Sequence, residues 1–173
     1  MDQDFNRKKE PESNVRRDFL KKGALAAAGL MIIPRHVMGR GFTAPSDRLL
    51  IASIGVGGKG RSDVGSFEKS GLANVAYLCD VDTRRAADSV RALPKAKFYK
   101  DWREMLDKEH KNFDAVSVST PDHSHAIQAF SAMQLGKHVY VQKPMAHDIY
   151  EAHMVTQAAS RYKVVTQMGN QGS

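Results

Sequence analysis

Three glycines at Gly-x-Gly-x-x-Gly spacing, Gly55, Gly57 and Gly60, followed twenty residues later by Asp80, form the strongest chemical pattern in the sequence. That set suits a dinucleotide. Gly55 permits a tight strand-to-helix turn, Gly57 lets the backbone approach a pyrophosphate, and Gly60 allows a helix to pack closely on a strand. Amides at the helix start, around Gly58 and Lys59, carry partial positive charge and hold phosphates. Asp80 is placed to accept hydrogen bonds from the adenosine ribose hydroxyls. A carboxylate there repels a 2′-phosphate, so NAD is expected rather than NADP. Arg84 and Arg85 follow and offer charge for such a phosphate, but they also fit a solvated helix face.

The loop works only if a strand leads in, a helix leads out, and Asp80 ends the next strand. The sequence supplies all three. The apolar run Leu49–Ile54 precedes the glycines, a helix-compatible segment from Gly60 to Ser70 follows, and Val75–Cys79 carries the chain to Asp80. Beyond it the pattern repeats. A helix near Thr83–Leu93 ends at Pro94, and Lys97–Tyr99 is a short strand. Asp101 caps Trp102–Glu109, where Trp102, Met105 and Leu106 share a face. Phe113–Ser119 is a strand apolar enough for burial on both faces. Asp122 caps Ser124–Leu135, which Gly136 stops; His138–Val141, a helix opened by Asp148 and running to Arg161, and Lys163–Gln167 complete the series. Six strands with intervening helices predict an α/β fold, a doubly wound parallel sheet of the Rossmann dinucleotide-binding type with order 3-2-1-4-5-6.

Residues 1–40 read differently. A polar, charged start leads through Arg16-Arg17-Asp18-Phe19-Leu20-Lys21 to an apolar run, Gly23–Ile33, closed by Pro34. Eleven residues make a helix of about 16 Å, half of a ~30 Å hydrocarbon core, so the run predicts a signal and no stable membrane anchor. The paired arginines resemble a twin-arginine export signal, implying the twin-arginine export machinery as a partner and a periplasmic or otherwise exported destination. Residues 41–47 read as a linker and 48–173 as the nucleotide domain. Of the net charge of +7, residues 1–40 hold +4, from nine Lys/Arg and five Asp/Glu. With most of the excess in the leader and no basic stripe elsewhere, nucleic acid is not expected as a partner. Cys79, the single cysteine, excludes an internal disulfide and reads as core.

The glycine loop, Cys79-Asp80-Val81-Asp82, Thr120-Pro121-Asp122-His123-Ser124-His125 and Gly136-Lys137-His138-Val139-Tyr140-Val141-Gln142-Lys143-Pro144 occur in an order and spacing that resembles the Gfo/Idh/MocA family of NAD(P)-dependent oxidoreductases. The ending Thr166–Gly172 resembles an exported branch common in Bacteroidetes-like bacteria. The resemblance implies hydride transfer to or from hydroxyls of sugars, inositols and related polyols. It implies Lys143, from the family's Glu-Lys-Pro motif, as the catalytic residue beside the nicotinamide, where a partly desolvated lysine takes up or stabilises the hydroxyl proton. It places Thr120, Pro121, Asp122, His123 and His125 along the cofactor, with Gln142 at the nicotinamide ribose and Asn170 as a further nicotinamide-side contact. Gln142 departs from the family's usual Glu and brings no negative charge to Lys143. His125 also fits a helix N-terminal residue satisfied by backbone. The Asp122–His125 stretch holds two histidines but no third ligand of suitable type, so no metal is expected. His147 and His153 read as surface.

In the resembling family this domain is joined to a C-terminal domain with a large, mostly antiparallel sheet, which shapes the sugar site and the oligomer interface. Nothing in the sequence resembles that domain, so a fragment of a longer dehydrogenase is expected, with homo-oligomers formed only through the missing part. Two other readings stand beside it. One is a relative of the NAD-dependent glycosidases, a sister group that replaces the lysine that Lys143 retains. The other is a non-catalytic nucleotide-binding module.

Overall fold

In a computed structural model, residues 45–170 are described; the segment read as an export signal, most of the segment read as a linker and residues 171–173 lie outside them. Six parallel strands form one sheet in the order β3-β2-β1-β4-β5-β6, as the alternation predicts. They are β1 (Leu49–Ile54), β2 (Ala73–Cys79), β3 (Lys97–Tyr99), β4 (Ala115–Val118), β5 (His138–Gln142) and β6 (Thr166–Gly169). The connecting helices are α1 (Lys59–Ser70), α2 (Thr83–Ala92), α3 (Trp102–Glu109), α4 (His125–Gln134) and α5 (Ile149–Tyr162).

Strand alternation divides the core between the two faces. Ile51, Val75 and Leu78 face α1 and α2, where they meet Val64 and Ala86. Ala52, Ile54, Val116, Val118, Val139 and Val141 face the other way, against Met105, Met133 and Val155 of α3, α4 and α5. Leu78, Met105 and Met133 are completely buried, each contributing about 2 kcal/mol of burial. Among the described residues no helix is long and apolar enough to cross a membrane.

Most element ends obey their local signals. Asp101 and Asp148 cap α3 and α5, accepting from the amides of Arg103 (2.8 Å) and Glu151 (2.7 Å). Two expectations need correction. Asp122 does not cap α4; residues Asp122–Ser124 form a 3-10 turn, and the Asp122 carboxylate accepts instead from the neighbouring amide of His123 at 2.8 Å. The last strand also starts later than Lys163, which stands in the left-handed region (φ 54) and closes α5 by donating its amide to Ala159. Pairing with β5 begins only at Thr166, opposite Val139.

Between β1 and β4 the strand order reverses. Crossovers from β1 leave toward one face and those from β4 toward the other, opening a crevice at the carboxyl ends where ligands bind in such sheets.

Candidate functional site

The chain leaves β1 at Gly55, with φ 78 and its amide donated to Cys79 O at 2.8 Å. A Cβ on Gly55 would lie 2.7 Å from Ser119 O, and one on Gly60 only 1.7 Å from Gly55 O. Gly60 thus seats α1 directly on the turn, as its spacing predicts. At Gly57 the crowding comes from a different side: a Cβ would stand 2.9 Å from Cβ of Arg85, so this glycine also admits the start of α2. Gly58 takes the N-cap of α1 with φ 52 and brings no side-chain cap. The first turn's amides are therefore not claimed by a capping side chain and remain suited to an anion.

Asp80, for which a ribose contact is expected, is engaged within the protein itself. Its Oδ2 accepts from the amides of Val56 and Gly57, both at 3.0 Å, and Oδ1 accepts from Asp82 N at 3.0 Å. Ser89, buried in α2, donates from Oγ to Val56 O at 2.6 Å. Loop and second strand are thereby locked together before any ligand arrives. Between them lies a cleft of about 380 Å³, bordered by Gly55, Gly57, Lys59, Asp80, Ser119 and Thr120, in the range expected for part of a small-molecule site. Arg85 also lines it while remaining exposed, so both readings of this arginine hold. The available signal was its place in the first turn after Asp80. Arg84 folds back on Asp82 (3.2 Å), which holds the Asp82 carboxyl below its usual range.

Across the crevice, Thr120 donates from Oγ1 to Oε1 of the buried Gln128 at 2.9 Å, and Pro121 completes the cleft wall. His125 is 1% exposed. Its Nε2 lies 2.7 Å from Thr120 O and its Nδ1 2.6 Å from Pro144 O. Each ring nitrogen faces a backbone carbonyl, and the one that carries the hydrogen donates to it, so His125 bridges the Thr120 loop and the Lys143–Pro144 turn, as expected of a helix N-terminal residue satisfied by backbone. Asp122 and His123 are exposed and lie outside the cleft lining, which ends at Pro121. The Asp122 carboxyl is held below its usual range, first by the His123 amide and further by His147.

Lys143 follows β5 directly, at a cis Lys143–Pro144 peptide. It is exposed and, among the described residues, has no hydrogen-bond or ion-pair partner. The partial desolvation expected of it is not supplied by these residues. Gln142 is buried and donates from Nε2 to Asp63 Oδ2 at 2.8 Å. Asp63 was not singled out in the sequence; it lies 79 residues from Gln142, with no local pattern joining them. Asn170 is exposed just past β6, its amide donated to Met168 O at 2.9 Å. Among the described residues no group of three or more His, Cys, Asp or Glu is placed to hold a metal. Cys79 is an inert core thiol, pushed up to about 12 by burial.

The geometry fits NAD, and comparison with known proteins agrees. A family profile described as the oxidoreductase family, NAD-binding Rossmann fold, matches residues 49–170. A glycosyl hydrolase family 109 protein of Shewanella baltica is 31% identical over 84% of this chain, which spans 37% of that relative's length. A UDP-N-acetylglucosamine 3-dehydrogenase from Acidithiobacillus ferrooxidans is 28% identical with TM-score 0.61, over 70% of this chain and 37% of that one. The WlbA dehydrogenase of Bordetella pertussis, in complex with NADH and UDP-GlcNAcA, shares the fold at 24% identity and TM-score 0.65, over 70% of this chain and 36% of its own. With a family match over most of its length, on a six-stranded sheet of the predicted order, this chain belongs to the Gfo/Idh/MocA oxidoreductases and carries their NAD-binding Rossmann domain.

Proposed function

We propose that this chain is the cofactor-binding part of an exported oxidoreductase acting on hydroxyls of a sugar or polyol. The observation that carries this is the convergence of the glycine loop, Asp80 and Thr120 on one cleft, with Lys143 at the end of the neighbouring strand. NAD, when bound, supplies the hydride acceptor or donor. The chain's own residues do the rest. Gly55, Gly57 and Gly60 clear space for the phosphates, and Asp80 selects unphosphorylated ribose. Thr120 and Pro121 wall the cleft, and Lys143 holds or takes the hydroxyl proton. Lys143 is exposed among the described residues, so in this reading it acts where further protein or substrate covers it. Export through the twin-arginine pathway, which moves folded proteins, and membership of a Bacteroidetes-like exported branch belong to the same reading.

Titration of the purified chain with NADH and NADPH tests the cofactor half. NADH is expected to bind at least about tenfold more tightly, since Asp80 opposes a 2′-phosphate; equal affinities remove Asp80 as the selector. A second reading has a specific observation behind it, namely the 31% identity to a glycosyl hydrolase family 109 protein. In that reading the cofactor oxidises a sugar transiently to loosen a glycosidic bond. A longer form that cleaves a glycoside with no net NADH would favour it, and net NADH production from a free sugar would favour the first.

A further inference from the structure

Asp63 lies on α1, one turn past Lys59, and is 5% exposed. No requirement of the glycine loop calls for a carboxylate there. Its Oδ1 accepts from Lys59 Nζ at 2.7 Å. Its Oδ2 accepts from Ser119 Oγ at 2.9 Å and from Gln142 Nε2 at 2.8 Å. The three donors come from the helix after the glycine loop, the end of β4 and the end of β5, so the contacts converge where ligands bind in this fold. One charged partner and two neutral donors make the burial of this carboxylate affordable.

The contact fixes the orientation of Gln142. A carboxylate only accepts, so the amide nitrogen and not the oxygen must face Asp63. The second hydrogen of Nε2 reaches Tyr140 Oη at 3.2 Å. Both donors are spent, and Oε1 is left without a partner among the described residues. A glutamine that is free to turn can donate or accept; this one can only accept.

We propose that Asp63 is a positioning residue. It locks Gln142 as an acceptor-only group at the end of β5 for a hydroxyl of the nicotinamide ribose, and it holds the negative charge that Gln142 lacks. The inference rests on the NAD reading. It makes Asp63 and Gln142 an exchangeable pair in which one acid suffices. A second acid at position 142 would stand about 3 Å from the first, and one of the two would have to take a proton.

NADH and ADP are the two probes, titrated against the 173-residue chain from pH 5 to pH 8; ADP has the adenine end and lacks the nicotinamide ribose. In Gln142→Glu, NADH affinity is expected to fall about tenfold or more at pH 8 and to recover toward pH 5 as one carboxyl is protonated. In Asp63→Asn/Gln142→Glu, which moves the acid from one member to the other, NADH affinity is expected within about threefold of wild type and flat with pH. ADP affinity is expected unchanged throughout. Unchanged NADH binding by Gln142→Glu at pH 8, a double variant no better than the single one, or ADP affinity falling in parallel would each overturn the proposal. If Gln142→Glu alone does not fold, a double variant that folds and binds NADH supports the pairing, and one that does neither overturns it. A wild-type chain that fails to bind NADH overturns the cofactor reading as well.

Discussion

Around the glycine loop, the positions that matter are those where a side chain is missing. At the ends of β4 and β5 they are those where one is present. Gly55, Gly57 and Gly60 each stand where a Cβ would press within 3 Å of another atom, backbone at Gly55 and Gly60 and the Cβ of Arg85 at Gly57, so this side of the cleft is shaped by close approach of the main chain. At the ends of β4 and β5, Thr120, His125 and Gln142 each have a long-range or loop partner that sets their direction: Gln128, two carbonyls and Asp63. Where backbone meets backbone, as at Gly55 and Gly60, an added side chain forces the main chain to move. Side-chain architecture changes by exchange of partners, and chemistry can be retuned there without rebuilding the fold.

The sharpest break of this contrast is Gly60→Ala. Its methyl would need the space of Gly55 O, 1.7 Å away and part of the backbone. The loop must move or α1 must lift, at a cost of about 3 kcal/mol or more. NADH binding should be lost at millimolar concentration, and the melting temperature should drop in a thermal scan. A variant with wild-type stability and affinity would refute the backbone account of this end.

Asp80→Ala comes next. It leaves the amides of Val56, Gly57 and Asp82 without their acceptor. The expected loss is about 2 kcal/mol of stability in denaturant unfolding, together with a fall in NADH affinity. Together with the Ser89 hydroxyl on Val56 O, Asp80 is where side chains support the glycine loop. If affinity falls and stability does not, Asp80 serves only the ribose, and the two ends of the cleft are more alike than their contacts indicate.

The difference between the ends also decided what was legible in the sequence. Glycine spacing encodes backbone conformation directly, so the turn, the packing of Gly60 and the strand order followed from residue types alone. The caps at Asp101 and Asp148 were legible for the same reason, since each acts within three residues. Asp122 was misread because its local competitor, the His123 amide, won over the helix start. The roles of His125 and Gln142 were not decidable locally. His125 depends on Pro144 O across the crevice, and Gln142 on Asp63, 79 residues earlier. Arg85 was ambiguous because a first-turn arginine is equally at home on a solvated face.

A smaller effect asks whether the outer strand of the adenine half is held by side chains after all. Glu109 of α3 accepts from Tyr99 Oη at 2.5 Å, from Asn112 Nδ2 at 2.9 Å and from Lys97 Nζ, tying α3 to β3. Lys97 first, then Tyr99 and Asn112, draw its carboxyl down from 4.5 to about 2. A carboxyl held low when folded stabilises the protein above its unfolded value, and that contribution is lost as pH falls from about 4.5 toward 2. Unfolding midpoints measured across that window should decline in the wild type and decline less in Glu109→Gln. Parallel declines would show that Glu109 is not the group responsible.

Lys143→Ala should have the smallest effect on the fold, and for that reason it isolates the nicotinamide side best. Lys143 is exposed and has no partner among the described residues, so its removal should change stability by no more than about 0.5 kcal/mol. It also lies off the cleft lined by Gly55, Asp80 and Thr120, so ADP affinity should be unchanged. Its loss should register only where a substrate hydroxyl is present, as a fall in turnover by a longer form of the protein with NADH binding retained. A side chain that costs nothing to remove from the fold and nearly everything from the chemistry is what an end built from exchangeable side chains predicts. Melting and nucleotide titrations of this one variant check that, because a large change in either would make Lys143 part of the scaffold.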